Sequence, residues 1–378
     1  MNILIFLIIL IVLVLVHEFG HFFVAKRFGI RVDEFGFGFP PRIFGKKIGE
    51  TLYSVNMLPL GGFVKIFGES LDEADLLEVG FLDKKSTPEK IDFSRSLVHK
   101  PRYQQALVMF AGIFFNFILA WLLFSFGLMS GLPTSAGNQP KGSILKDVNL
   151  VIISVLPNSP AENAGIKTGD KIVLIKSGDE TLSEINPNTL KSFVLSHPEK
   201  ELEFGYLRKG VDEMNITKIT PVSDIADGKP SIGIAMDQIG IAKLSILRAF
   251  WEGMKLDISA TKDTAIGFYT LIKEGIQGKG SFASVAGPVG MVGMVGDLYD
   301  FGFSYLLSFT ALISINLAII NLIPFPALDG GRLLFLLIEK IKGSRINPKV
   351  ANITNMVGFS LLIILMIFIT YNDIVKLF

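Results

Sequence analysis

The chain has 378 residues, 50% of them hydrophobic, with a mean hydropathy of +0.50. That is too apolar for an ordinary soluble protein and too polar for one built only of membrane spans, so helical spans plus a water-facing domain are expected. A net charge of +1 gives no footing for a nucleic-acid partner, and the absence of cysteine excludes disulfides and thiolate metal ligands. Any metal must then be held by His, Asp or Glu.

Residues 3–16 carry no polar side chain, and the run continues as VLVHEFGHFF over 14–23. An apolar helix over about 3–24 is long enough to cross a bilayer. No basic residue precedes the run and no small-x-small site follows it promptly, so it is expected to be retained rather than cleaved as a leader. Inside it, His17-Glu18-Phe19-Gly20-His21 spells H-E-x-x-H. Residues four apart share one face of a helix, so both imidazoles can reach a single ion, and zinc suits imidazole. A catalytic zinc takes three protein ligands and keeps a fourth position for water. Glu18, beside the pair, is placed to accept that water's proton and pass it to a leaving amine. With 4 histidines in the chain, the pattern has a chance expectation of only about 0.002 occurrences. A lone buried histidine is ordinarily a structural residue. Two with a glutamate, in this spacing and in hydrocarbon, point to a metal.

The next stretch, about 32–69, alternates Tyr53, Val55 and Met57 with polar positions before Leu58-Pro59-Leu60-Gly61-Gly62. It is expected to be a membrane-associated β segment, a hairpin or bent strand pair. Its edge either pairs with an unwound substrate or serves only packing. The charge-rich run 69–95 is expected to be a flexible cytoplasmic loop. His99 and His197 lie in polar surroundings without ligand spacing and are expected to be solvated surface residues.

A second span is expected at 105–128, closing the first portion of the chain, 1–128. Asn116 is a lone side-chain amide within it. It serves either as a donor to the developing oxyanion or substrate backbone, or as a polar helix–helix contact aided by Gly112. Residues 129–240 form a small extracytoplasmic domain with its core at about 145–222. SVLPNSPAENAGIKTGDKIVLI (154–175) gives strand, turn-and-helix and strand, with further strand-like runs at 202–210 and 214–222. Its N-S-P-A-x-x-A-G-I-x-x-G-D-x-I pattern resembles a PDZ domain of the bacterial protease type; a plain spacer domain is the alternative. Over 241–302, Leu247, Phe250, Met254 and Ile258 can share one helix face, either against the membrane interface or in the core of the outer domain.

A third span at 304–323 and a fourth at 352–371 complete the portion 303–378. The third ends in Asn321-Leu-Ile-Pro324-Phe-Pro326-Ala-Leu-Asp329-Gly330-Gly331, where two prolines break the helix. Broken backbone at membrane depth belongs in a protein interior or a wet cavity. Asp329 is either the third metal ligand, completing a two-His, one-Asp site, or the N-cap of a helix starting near Gly331. Asn321 caps or clamps the broken helix, or binds substrate backbone. Basic residues flank the first two spans (Lys26, Arg27, Arg31, Lys100, Arg102) and fill the loop between the last two (Arg332, Lys340, Lys342, Arg345, Lys349). Both loops are thus expected in the cytoplasm, the PDZ-like domain and both termini outside, and the histidines toward the cytoplasmic side.

H-E-F-G-H on span one with N-L-I-P-F-P-A-L-D-G-G near span three resembles the site-2 protease family of intramembrane zinc metalloproteases, closest to its bacterial RseP-type branch. The likeness covers nearly the whole chain. It extends to the 36–69 β segment, to Gly112-Ile-Phe-Phe-Asn116 as a G-x-x-x-N motif, and to Gly287-Pro288-Val289-Gly290. The resemblance implies a polytopic α-helical protein of the bacterial inner membrane, carrying one zinc and hydrolysing single-span membrane proteins within the bilayer. It implies a role in regulated intramembrane proteolysis, such as anti-sigma factor cleavage or clearance of membrane-embedded peptides. It implies peptide ends as ligands of the PDZ-like domain. One departure stands out: room for a single PDZ-like domain where the best-known relatives carry two in tandem.

Overall fold

The computed structural model describes residues 1–69, 92–208, 213–226, 229–278 and 286–375. The expected flexible loop at 69–95 therefore lies almost wholly outside the described residues. Among the described residues, four helices are long and apolar enough to cross a membrane: α1 (Asn2–Arg27), α2 (Arg102–Ser130), α7 (Phe303–Leu322) and the body of α9 (Pro348–Val375). The chain divides into two compact units. The first holds Met1–Leu123, Met254–Gly296 and Phe309–Phe378; the second holds Phe124–Gly253 and Asp297–Ser308.

In the first unit, α1 is apolar along its length and closes with Lys26 and Arg27, cations that suit a helix C-terminus. The hairpin β1 (Val32–Ile48) and β2 (Thr51–Ile66) follows. Prolines and glycines divide each long strand, so 34–37 pairs on one side with 52–55 and on the other with 62–65. Among the described residues, this leaves the outer edge of 62–64 without a strand partner. Phe22 of α1 meets Phe35 and Tyr53 with ring centroids 5.3 and 6.1 Å apart, docking the hairpin on the helix. Ala25, Ile30, Val32, Ile66, Leu97 and Val108 form a buried cluster joining α1, the hairpin and the start of α2.

After α7 the chain turns through Pro324–Leu328, with Ala327 at φ 76°, before α8 (Asp329–Lys342). Asn355 of α9 accepts from Ala327 N–H at 3.2 Å and holds this unusual turn. Near the end of α9, Asp373 accepts from the backbone N–H of Gly287 (3.1 Å) and Gly290 (2.8 Å). It thereby caps α6 (Pro288–Phe301), so the G-P-V-G segment is the seat of a buried carboxylate.

In the second unit, a mostly antiparallel sheet has the order β3-β11-β4-β5-β7-β8. Its strands are β3 (Leu132–Ser135), β4 (Ile144–Val155), β5 (Lys171–Ser177), β7 (Leu202–Leu207), β8 (Asn215–Ile219) and β11 (Ile234–Lys243), with the short β6 (Glu180–Thr181) on β5, while β9 (Val222–Ala226) and β10 (Lys229–Ser231) pair with each other. The sheet takes in Leu132–Ser135 and Ile234–Lys243, on either side of the stretch 145–222. Its core packs Leu150, Ile152, Ile175, Leu202 and Phe204 against Leu190 and Phe193 of α4 (Pro187–Ser196). The short α3 (Pro160–Asn163) starts at Ser159, whose hydroxyl accepts from Glu162 N–H. A groove of about 390 Å³ runs between α4 and the chain entering β11, lined by Leu190, Val194, Ile232, Ile234 and Met236 with Lys191 and Lys229.

One expectation is corrected. His197 is buried, not solvated: Nδ1–H donates to Phe193 O (2.9 Å) and Nε2 lies 3.3 Å from Glu180. The polar residues around it in sequence misled, because the C-terminus of α4 folds its side chain back over Phe193. His99 is exposed, as expected. On α5 (Ile246–Ile276), the four apolar residues do not form a buried face: Leu247 is 85% and Ile258 61% exposed, whereas Glu252 and Asp257 are buried. That pattern leaves Leu247 and Ile258 on an outward apolar stripe of the helix.

Candidate metal centre

His17 and His21 sit one turn apart on α1 and both are buried. Asp329 opens α8, and Leu328, not Asp329, occupies the N-cap position. The carboxylate is thus free of capping and turns toward the histidines. His17 Nε2 lies 3.1 Å from Asp329 Oδ2, His21 Nε2 lies 3.3 Å from the same oxygen, and the two nitrogens are 3.2 Å apart. Buried as it is, Oδ2 has no partner of hydrogen-bond geometry. Three potential ligand atoms converge there, with the carboxylate oxygen left unsatisfied at a cost unless something binds it. Ligands about 2.0–2.1 Å from a tetrahedral zinc stand about 3.3 Å apart, so the triangle has the edges that ion requires. The donor set, two imidazoles and a carboxylate, suits it as well.

The support for this triangle comes from one face of α2. His21 Nδ1–H donates to Val108 O at 2.7 Å, which leaves Nε2 as the lone-pair nitrogen. The Asn116 side-chain amide lies 3.1 Å from His17 Nδ1, and Ser314 of α7 donates to the Asn116 backbone carbonyl at 2.8 Å. Between them, Gly112 leaves room for both rings: a Cβ there would overlap the His21 imidazole and lie 2.9 Å from His17 Cε1. Val108, Gly112 and Asn116 are four apart and share a face. Sequence reasoning found Gly112 and Asn116 but not Val108, whose contribution is a backbone carbonyl and leaves no mark on residue type.

Glu18 faces the hairpin, where a Cβ on Gly62 would come within 3.3 Å of its Cγ, and interacts electrostatically with His21, His17 and Asp329. It thus sits between the triangle and the strand 62–64. Arg332, one turn beyond Asp329, pairs with Glu69 just after β2, anchoring α8 to the hairpin. Both residues line an open cavity of about 540 Å³ with Met109, Gln105, Phe335 and Glu339, one helical turn along α8 from Asp329. Gly330 and Gly331 permit the fold-back behind that turn, since a Cβ on either would overlap backbone of Leu322–Phe325. Asn321 lies half-buried on the last turn of α7, outside the three-residue cluster.

Comparison with known proteins agrees with this chemistry. The model of peptidase family M50 matches residues 5–365. A protein of Clostridium perfringens is 35% identical over 96% of this chain and 95% of its own. The Regulator of sigma-W protease RasP of Bacillus subtilis is 30% identical over 99% of this chain and 98% of its own. Among solved structures, the PDZ domain of an SdrC-like protein from Listeria monocytogenes covers 25% of this chain and 90% of its own, at 20% identity and a TM-score of 0.21. The chain belongs to peptidase family M50, the site-2 protease family of zinc metalloproteases.

Proposed function

We propose that this membrane protein is an endopeptidase that cleaves single-span membrane proteins within the bilayer, using one zinc held by His17, His21 and Asp329. The observation that carries the reading is the convergence of two imidazole nitrogens of the apolar helix α1 with the unpartnered Asp329 Oδ2 of α8, within 3.1–3.3 Å of one another. When bound, the zinc supplies a Lewis acid that lowers the pKa of a water to about 7. Glu18 accepts that water's proton on its carboxylate and delivers it to the departing amine. A helical peptide bond is shielded, with its carbonyl engaged, so the substrate must unwind before attack. The outer edge of 62–64, beside Glu18, offers replacement hydrogen bonds to an unwound strand. Asn321, at the end of a broken span, is available to substrate backbone.

The active site faces the cytoplasmic side and the PDZ-like domain lies outside, as the basic residues of the two loops favour. Its groove, apolar with two lysines, takes peptide ends. The name of the Bacillus subtilis relative, a regulator of sigma-W protease, fits a signalling role such as anti-sigma factor cleavage, with clearance of membrane-embedded peptides as another use of the same site. The test is Glu18→Gln in the purified full chain. Cleavage of a single-span substrate should fall by about 10²–10⁴-fold while close to one zinc per chain is retained. Undiminished cleavage would overturn the mechanism.

A further inference from the structure

From sequence, Asn116 is a donor to the oxyanion or to substrate backbone, or a helix–helix contact. Its position indicates something different. The side chain is fully buried, and its amide meets the outer nitrogen of one histidine rather than an open site. In the present arrangement the amide nitrogen is the atom facing His17 Nδ1, and Asn116 Oδ1 is buried without a partner. An NH₂ group facing Nδ1 requires Nδ1 to accept, which puts the ring's proton on Nε2. That tautomer points a hydrogen at Asp329 and cannot ligate through Nε2. Ligation requires the opposite tautomer, with the proton on Nδ1 and an acceptor facing it. Turning the amide over exchanges two nearly isosteric atoms, brings Oδ1 to Nδ1 and gives the stranded oxygen its partner. His21 already has the matching arrangement, with its Nδ1–H on Val108 O.

We propose that Asn116 is a positioning residue. Its side-chain oxygen accepts from His17 Nδ1–H and holds the ring in the tautomer and orientation that present Nε2 to the metal. The assignment rests on the metal-centre reading above and extends it. Ser314, donating to the Asn116 carbonyl, makes α7 a party to the same alignment. Outer hydrogen-bond partners of metal-binding histidines typically contribute 10–100-fold in metal affinity.

The test compares zinc affinity, by chelator competition on the full chain in detergent, among the wild type, Asn116→Leu and Asn116→Asp. Thermal melts without added metal report the fold. Leucine keeps the volume and removes the acceptor; zinc affinity should fall 10–100-fold. Aspartate keeps an acceptor oxygen; affinity should stay within about threefold of wild type, since a carboxylate serves a metal-bound histidine equally well. Wild-type affinity in Asn116→Leu would overturn the assignment and return Asn116 to a substrate role. Equal losses in both variants, tracking equal losses in melting temperature, would reduce it to packing. A wild type that binds no zinc would overturn the metal centre itself, an outcome distinct from either.

Discussion

At the scale of single residues, the centre depends on what is missing as much as on what is present. Gly112 contributes no side chain, and that is its function: the imidazoles of His17 and His21 occupy the space a methyl group would need. Since the contacts are rings locked by outer hydrogen bonds, neither can move aside without losing Val108 O or Asn116. Gly112→Ala should therefore lower zinc occupancy at least tenfold while leaving the apo melting temperature within a few degrees. Chelator competition and thermal melts decide it. Full zinc occupancy in Gly112→Ala would show that the rings are not so confined. The sequence signalled this glycine only as a helix-packing residue, because spacing tells which residues share a face and not what lies opposite.

At the scale of elements, the hairpin is held in place by charge as well as by aromatic packing. Glu50, in the turn between β1 and β2, accepts from Lys26 at the end of α1 (2.6 Å) and from both terminal nitrogens of Arg95 (2.7 Å each). The Arg95 guanidinium, helped by Lys26, holds its carboxyl down at about 2, against an ordinary value of 4.5. A depressed carboxyl contributes stability that is fully present above its unfolded pKa and lost as pH falls through the folded one. Glu50→Gln should thus be less stable than wild type by about 1 kcal/mol at pH 7, with the gap shrinking between pH 4.5 and about 2. Thermal unfolding of the two proteins across that range checks it; a gap constant from pH 7 to 3 would contradict the linkage. The hairpin itself was legible from the alternation at 53–57 and the Pro/Gly breaks, and so were the apolar helices. Less legible were α8, whose start is set by the fold-back of Gly330 and Gly331 rather than by a capping residue, and the outward apolar face of α5. A helix face reads the same in sequence whether it meets protein or lipid.

At the scale of the whole molecule, the grouping of His17, His21 and Asp329 was legible because its logic is chemical: ionisable groups in hydrocarbon need a reason, and a shared ion would supply one. The sequence did not reveal what surrounds them: the Val108 carbonyl, the Asn116 amide against His17 and the empty volume at Gly112. Nor did it carry the burial of His197, decided by the fold of α4 rather than by its polar neighbours. Hydrolysis of a peptide bond at membrane depth by this centre can be measured on the products. The full chain is reconstituted with a single-span substrate in liposomes, and the new termini are located by mass spectrometry. They are expected inside the substrate's apolar span, and absent with Glu18→Gln and with zinc chelated. Termini confined to the substrate's water-exposed segments, or produced equally by Glu18→Gln, would contradict hydrolysis at that depth by this centre.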